Sequence, residues 1–129
     1  MLDKDNWQAA LANGFELQSS GTTGAPKCIL QTPAKLEAAN KVAVAAQNIT
    51  AQSRILTVCR MTHAGGLLAQ TLPAWGVNAH VEIKPFNAFT FRRDIQGFTH
   101  THLTPMHCRL LMQTKSFRTL DLRGVFITC

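Results

Sequence analysis

Arg54-Ile55-Leu56-Thr57-Val58-Cys59 is the stretch whose reading sets the architecture. It is a β-rich run broken only by Thr57, too continuously apolar for a strand with one wet face. Such a strand is buried on both faces, as in a parallel sheet covered by helices. Upstream, Thr32-Pro33 has the form of an N-cap followed by proline at the first helical position. Leu36, Ala39, Val42 or Ala43, and Ala46 then recur at helical spacing, which predicts a helix over 33–48. Downstream, residues 65–75 read as a helix ending near Pro73 and Gly76, and Ala79, Val81 and Ile83 alternate as a strand. A helix over 89–95, a strand over 99–103, a helix over 105–113 and a strand over 125–128 complete the pattern.

Strands alternating with helices predict βαβ units in a mostly parallel, doubly wound α/β sheet with flanking helices. In such sheets ligands bind beyond the carboxyl ends of the strands. Ahead of this unit, residues 1–13 are polar with a helical tint around Trp7–Leu11, and Asn13-Gly14 is a turn pair. Phe15, Leu17 and Ser19 alternate with polar residues as a short strand, and Lys27-Cys28-Ile29-Leu30-Gln31 forms its return. Between them lies Ser19-Ser20-Gly21-Thr22-Thr23-Gly24-Ala25-Pro26-Lys27, a polar loop joining a hairpin-like unit. The chain therefore reads as one partial domain over 1–129, with the loop at 19–27 and the βαβ part over about 28–129.

Composition limits the functional classes. The 129 residues are 46% hydrophobic and only 16% charged, the opposite of a disordered chain. A chain of this length buries roughly 65–70% of its unfolded surface, so neither disulfides nor metals are needed for a core. The low charge also suggests that some apolar surface expects a neighbour, and self-association through apolar edges is one outcome. No apolar stretch approaches the roughly 20 residues of a spanning helix, and the polar start Met1–Asn6 has no signal-peptide character. Cys28, Cys59, Cys108 and Cys129 are scattered with no C-x-x-C pair, which predicts a reducing, cytoplasmic setting rather than a disulfide framework. Cys59 and Cys108 read as small buried hydrophobes. The 13 basic residues are spread along the chain, with Arg92-Arg93 the one adjacent basic pair and no tyrosine present. That distribution argues against a nucleic-acid surface.

Chemistry concentrates in the loop. Glycines let a backbone approach phosphate oxygens, while inward N–H groups, hydroxyls and a cation neutralise them. Ser19, Ser20, Gly21, Thr22, Thr23, Gly24 and Lys27 supply those parts, although composition alone equally describes a flexible linker. The spacing is not that of a Walker loop. His63 precedes Gly65-Gly66 where a strand passes into a helix; it is either a ligand-side group or a structural histidine bonded to a carbonyl. His100, His102, His107 and Cys108 could be read as a zinc site. Pro105 starts a new element between the histidines, however, which favours a place for them near the rim of the sheet-end pocket. No partnered His–Asp arrangement supports a serine hydrolase.

The string Ser19–Lys27 resembles the Ser/Thr-Ser-Gly-Thr-Thr-Gly-x-Pro-Lys loop of the adenylate-forming superfamily, which includes acyl-CoA synthetases, luciferases and peptide-synthetase adenylation domains. Cys28 stands where that family usually has glycine, which puts extra bulk on the return strand. Arg60-Met61-Thr62-His63-Ala64-Gly65-Gly66-Leu67 resembles the family's apolar–His–x–Gly-Gly-Leu segment, with Arg60 in place of a usual proline. Phe98–Pro105 is similar to a Thr-His-x-x-x-x-Pro step known in o-succinylbenzoate–CoA ligases, and Leu122–Cys129 to the strand before an adenine-binding Gly-Gly turn. The resemblance implies an internal piece of an N-terminal domain, with further motifs expected beyond Cys129. It implies ATP, Mg²⁺ and CoA as cofactor and cosubstrates, and a small carboxylate as substrate. Ser19, Ser20, Gly21, Thr22, Thr23, Gly24 and Lys27 would hold phosphates, and His63, Gly65 and Gly66 would line the acyl side. Most catalytic motifs being elsewhere, the chain is expected not to turn over alone. A non-catalytic nucleotide-binding module and a decayed structural remnant are the alternatives.

Overall fold

A computed structural model of the chain describes residues 2–19, 24–25, 27–62 and 64–129. Helix α1 (Trp7–Asn13) leads into strand β1 (Phe15–Ser19) through Gly14 at φ 77°. Only glycine fits there, since a Cβ would lie 2.5 Å from the Gln31 carbonyl oxygen. Strand β2 (Lys27–Gln31) pairs with β1 antiparallel, from Phe15 opposite Gln31 to Ser19 opposite Lys27. The predicted hairpin is therefore present. Cys28 is exposed and pairs with Gln18 in an unbroken ladder, so its bulk does not crowd the return strand.

Helix α2 (Pro33–Gln47) starts as the Thr-Pro pair predicts: the Thr32 hydroxyl accepts from the Lys35 N–H at 3.3 Å, with Pro33 in the first turn. It ends at Asn48, whose left-handed backbone lets the Ile49 N–H reach the Val44 carbonyl. The inward face differs from the predicted one. Leu36, Asn40, Ala43, Val44 and Gln47 turn inward, whereas Ala39, Val42 and Ala46 are exposed. An alanine-rich helix carries little contrast between faces, and here two amides lie on the inward side.

Strand β3 (Arg54–Thr57) is followed by one continuous helical stretch in three parts: α3 (Ala64–Gly66), a π-helical turn (Leu67–Thr71) and α4 (Leu72–Gly76). The wide turn, in which the Leu72 N–H reaches the Leu67 carbonyl, precedes Pro73. Proline has no N–H to give the Ala69 carbonyl four residues back. That carbonyl instead accepts from Gln47 Nε2 at 2.6 Å. Then come β4 (His80–Ile83), α5 (Phe91–Asp94), β5 (His100–His102), α6 (Pro105–Met112), a 3₁₀ turn over Lys115–Thr119 and β6 (Phe126–Thr128). The 3₁₀ turn has no counterpart in the sequence expectations. Helix α5 is shorter than the predicted 89–95, and β3 stops two residues short of Cys59.

The four-stranded sheet runs β4-β3-β5-β6, every pair parallel. This is the predicted mixed α/β architecture, with helices on both faces. On one face Ile55, Ala74 and Ala79 pack with Ile49 and Val44 under α2 and α4. On the other, Leu56 and Val58 pack with Phe91 and Ile95 of α5, and with Leu103 and Leu111 around α6. The connections leaving β3 and β5 cover opposite faces. The crevice between the carboxyl ends of these neighbours is thus the topological switch point, where a doubly wound sheet binds ligands.

Candidate functional site at the carboxyl edge of the sheet

The switch point is built from residues far apart in the chain. Gly66 is packed so tightly that a Cβ would lie 3.0 Å from Cys59 Sγ and 3.3 Å from His102 Cδ2. Glycine here lets the helix begin directly against the ends of β3 and β5. His102 Nδ1 lies 2.7 Å from Thr128 Oγ1, so the ends of β5 and β6 are joined by side chains. The Leu103 N–H donates to the Thr128 carbonyl at 2.9 Å, adding a backbone tie between the same strands. The buried Cys59 thiol donates to the His102 carbonyl at 3.4 Å. Burial pushes this thiol up to about 11, which keeps it protonated near neutrality and unsuited to nucleophilic work.

Gly65, the second expected pocket residue of α3, is exposed, whereas Gly66 is buried. His63, Ser20, Gly21, Thr22, Thr23 and Pro26 lie outside the described residues, as does the side chain of Ser19. Ser19 pairs with Lys27, so the hairpin register holds the two ends of the 19–27 loop together. Gly24 is exposed at φ 133°, and a Cβ there would meet nothing within 4 Å. Its glycine is therefore required by backbone conformation rather than by space. The hairpin is anchored next to the switch point: Leu17 of β1 shares a buried cluster with Met61 and Leu67, which bracket the entry to α3.

The remaining histidines do not form the rim grouping expected of them. His100 sits at the start of β5, buried, where its Nε2–H donates to the Gln47 carbonyl at 2.8 Å and Nδ1 faces Thr99 Oγ1 at 2.7 Å. His107 closes a capping box: its Nδ1 accepts from the Thr104 N–H and its own N–H donates to Thr104 Oγ1, both at 3.2 Å. Of the three, only His102 reaches the carboxyl edge. Among the described residues no cluster of His, Cys, Asp and Glu could hold a metal ion. Cys108 is half-buried against the α5–α6 core rather than fully enclosed. His102 is where the rim reading expects it, whereas Thr128 and Cys59 are not among the expected site residues, and the convergence of the three depends on strand order, which no local motif encodes.

No protein-family profile matches the chain. It is 33% identical over 112 residues to an indoleacetate–CoA ligase of Aromatoleum aromaticum, covering 83% of this chain and 22% of that protein. It is 30% identical over 100 residues to the acyl-CoA synthetase FUM10 of Gibberella moniliformis, covering 76% of this chain and 18% of the relative. The fold also superposes on ATP-bound MatB from Rhodopseudomonas palustris with a TM-score of 0.69 at 19% identity, over 78% of this chain and 20% of that one. The chain thus spans about a fifth of the length of the relatives it matches. With the β1–β2 hairpin packed on the entry to α3 beside the switch point of a parallel sheet, and CoA ligases as sequence relatives, the chain belongs to the adenylate-forming superfamily, as a segment of the acyl-CoA synthetase type.

Proposed function

We propose that this chain is the phosphate-holding segment of an ATP-dependent carboxylate–CoA ligase. In this reading Ser19, Ser20, Gly21, Thr22, Thr23, Gly24 and Lys27 hold the β- and γ-phosphates, and His63, Gly65 and Gly66 line the carboxylate side. The observation that carries it is the hairpin register, which puts Lys27 at the mouth of the loop, opposite Ser19. A cation there can neutralise phosphate charge through charge-assisted hydrogen bonds, each contributing about 1.5–3 kcal/mol. Mg²⁺ would enter with the triphosphate and neutralise part of its charge. In the whole ligase a carboxylate oxygen attacks the α-phosphorus, the bond to pyrophosphate breaks, and a thiol later displaces AMP. The residues of this segment would orient the leaving pyrophosphate and neutralise its charge. The crevice at the carboxyl ends of β3 and β5 would receive the carboxylate, and CoA would act as the accepting thiol.

Calorimetric titration with Mg·ATP tests the loop. Wild type is expected to bind, and Lys27→Ala to bind at least about tenfold more weakly, the loss of one charge-assisted bond. Equal affinities would overturn the assignment. Pyrophosphate release with ATP, Mg²⁺, CoA and a panel of carboxylates is expected to be absent from the chain alone. Binding without release is also the behaviour of a nucleotide-binding module. A cytoplasmic setting is part of the proposal: all four cysteines are unbridged, which suits a reducing compartment. So is self-association, for which Phe126 and Ile127 on the outer strand β6 offer apolar surface. Sedimentation at rising concentration checks it, and an invariant monomer would overturn it.

A further inference from the structure

The net charge is not shared evenly between the two faces of the sheet. Residues 84–120 contain Lys84, Arg92, Arg93, Arg109, Lys115 and Arg118 against Asp94 alone, which is +5 of the total +6. No acidic residue occurs from 95 to 120. These residues form one layer: α5 and α6 pack side by side over Leu56 and Val58, and Arg92 Nε donates to the Thr119 carbonyl at the end of the 3₁₀ turn. Within the layer the buried Asp94 pairs with Lys84 at 2.9 Å and with Arg93 Nε at 3.7 Å; Arg92, Arg93, Arg109, Lys115 and Arg118 are all exposed. Among them stand Phe89, Met106, Leu110, Met112 and Phe117, whose exposures run from 40% to 82%.

We propose that the outer face of the α5–α6–3₁₀ layer is a peripheral docking surface for a membrane leaflet containing anionic phospholipid. Charge complementarity names the occupant. Long cationic side chains extend to headgroup phosphates and carboxylates while their neighbours Phe117, Met112 and Leu110 enter the acyl boundary. A protein partner fits less well, because protein interfaces concentrate apolar residues in a core depleted of lysine. Here cations and apolar side chains interleave along the surface, as in Met112–Arg118. The surface adds a location to the chain and is independent of the loop 19–27.

Flotation with vesicles of equimolar phosphatidylcholine and phosphatidylserine, beside pure phosphatidylcholine vesicles, tests the proposal. Binding is expected only to the anionic vesicles and is expected to fall with added salt. Each basic side chain near an anionic surface contributes about 1 kcal/mol, or about fivefold. Lys115→Glu with Arg118→Glu is therefore expected to cost at least about 25-fold. Lys4→Glu with Lys35→Glu makes the same charge change outside the layer and is expected to alter binding by less than about twofold, since both positions lie off the docking face. Met112→Ser with Phe117→Ser is expected to weaken binding while leaving its salt dependence intact, and matching far-UV spectra and melting curves verify folding. The proposal is overturned by absence of binding at low salt, by equal binding to neutral vesicles, or by equal loss in the control variant. Salt-sensitive capture on polyglutamate without vesicle binding would overturn it in favour of an acidic protein partner.

Discussion

The two faces of the parallel sheet are held by different kinds of contact. Under α5 and α6 the joint is apolar, with Phe91, Ile95, Leu103 and Leu111 packed on Leu56 and Val58. Under α2 and the π turn, the apolar cluster shares its space with a buried polar chain. Gln70 Nε2 donates to both Gln47 Oε1 and the Thr101 carbonyl at 3.1 Å, and Thr57 and Thr71 share a hydrogen bond of 2.8 Å. Thr101 Oγ1 donates to the Leu56 carbonyl at 2.8 Å. Among the described residues no buried side-chain nitrogen or oxygen lacks a partner. An apolar joint tolerates small shifts, whereas a fully paired polar one has a single good register. The polar joint lies directly behind the switch point, where Gly66, Cys59 and His102 require close positioning.

The sharpest break of this contrast is Phe91→Ala. Phe91 is 1% exposed and central to the apolar joint, and its loss is expected to cost about 3–5 kcal/mol. Denaturant unfolding should register this as a lower midpoint with an unchanged slope. Next in size is Gln70→Leu, which keeps the volume approximately and removes the amide. The Thr101 carbonyl and the Gln47 side chain would each lose a partner, for an expected cost of about 1–3 kcal/mol. If the polar joint sets the register, hydrogen exchange in the Gln70→Leu variant should rise at β5 and at the π turn while α5 and α6 stay protected. A uniform rise across both faces would break the contrast.

The apolar joint was the legible one. Its contacts are between residues that read as core, Leu56 and Val58 of a continuous apolar run against apolar side chains of the elements that follow. The polar joint was hidden because Gln47, Gln70, Thr57 and Thr71 read from sequence as surface or neutral residues. Their burial depends on partners supplied by other elements: Gln47 lies 23 positions from Gln70, and Thr101 lies 31 positions from it. The inward face of α2 was missed by a fraction of a turn for the same reason, since Asn40 and Gln47 face inward while Val42 faces out. At the candidate site, the β1–β2 hairpin was legible because its alternating strands flank a contiguous Gly- and Ser/Thr-rich segment. The meeting of Cys59, Gly66, His102 and Thr128 was not, because strand order creates it.

Asp94 tests the apolar face from its edge. Its carboxylate accepts from Lys84 Nζ at 2.9 Å and from Thr90 Oγ1 at 2.7 Å, fastening the end of β4 to α5. Burial alone would raise its pKa, but the hydrogen bonds from Thr90 and Lys84 and the charges of Lys84 and Arg93 outweigh it, holding the group below the usual carboxylate range. A carboxyl lowered by folding contributes stability at pH above its unfolded pKa of about 3.9, and that contribution is lost as pH falls through the lower folded value. Asp94→Asn is expected to cost about 1–2 kcal/mol at neutral pH, mainly the lost charge-assisted bonds. The gap in melting temperature between wild type and variant should close on acidification below about pH 4. A gap independent of pH would mean that shape, not charge, holds this corner.

The smallest expected difference compares one device used on both faces. Helices α2 and α6 both begin with Thr-Pro, at Thr32-Pro33 and Thr104-Pro105, and both threonines accept from the backbone N–H three residues on. Only α6 adds the reciprocal bond, in which His107 Nδ1 accepts from the Thr104 N–H in a partly buried setting. At Thr32 the cap is exposed, so water can replace the hydroxyl. Thr32→Ala is therefore expected to cost about 0.5 kcal/mol and Thr104→Ala about 1–2 kcal/mol. Equal costs would mean that the partly buried setting of the Thr104 hydroxyl, beside His107 stacked on Phe86 with ring centroids 4.2 Å apart, adds nothing to the cap.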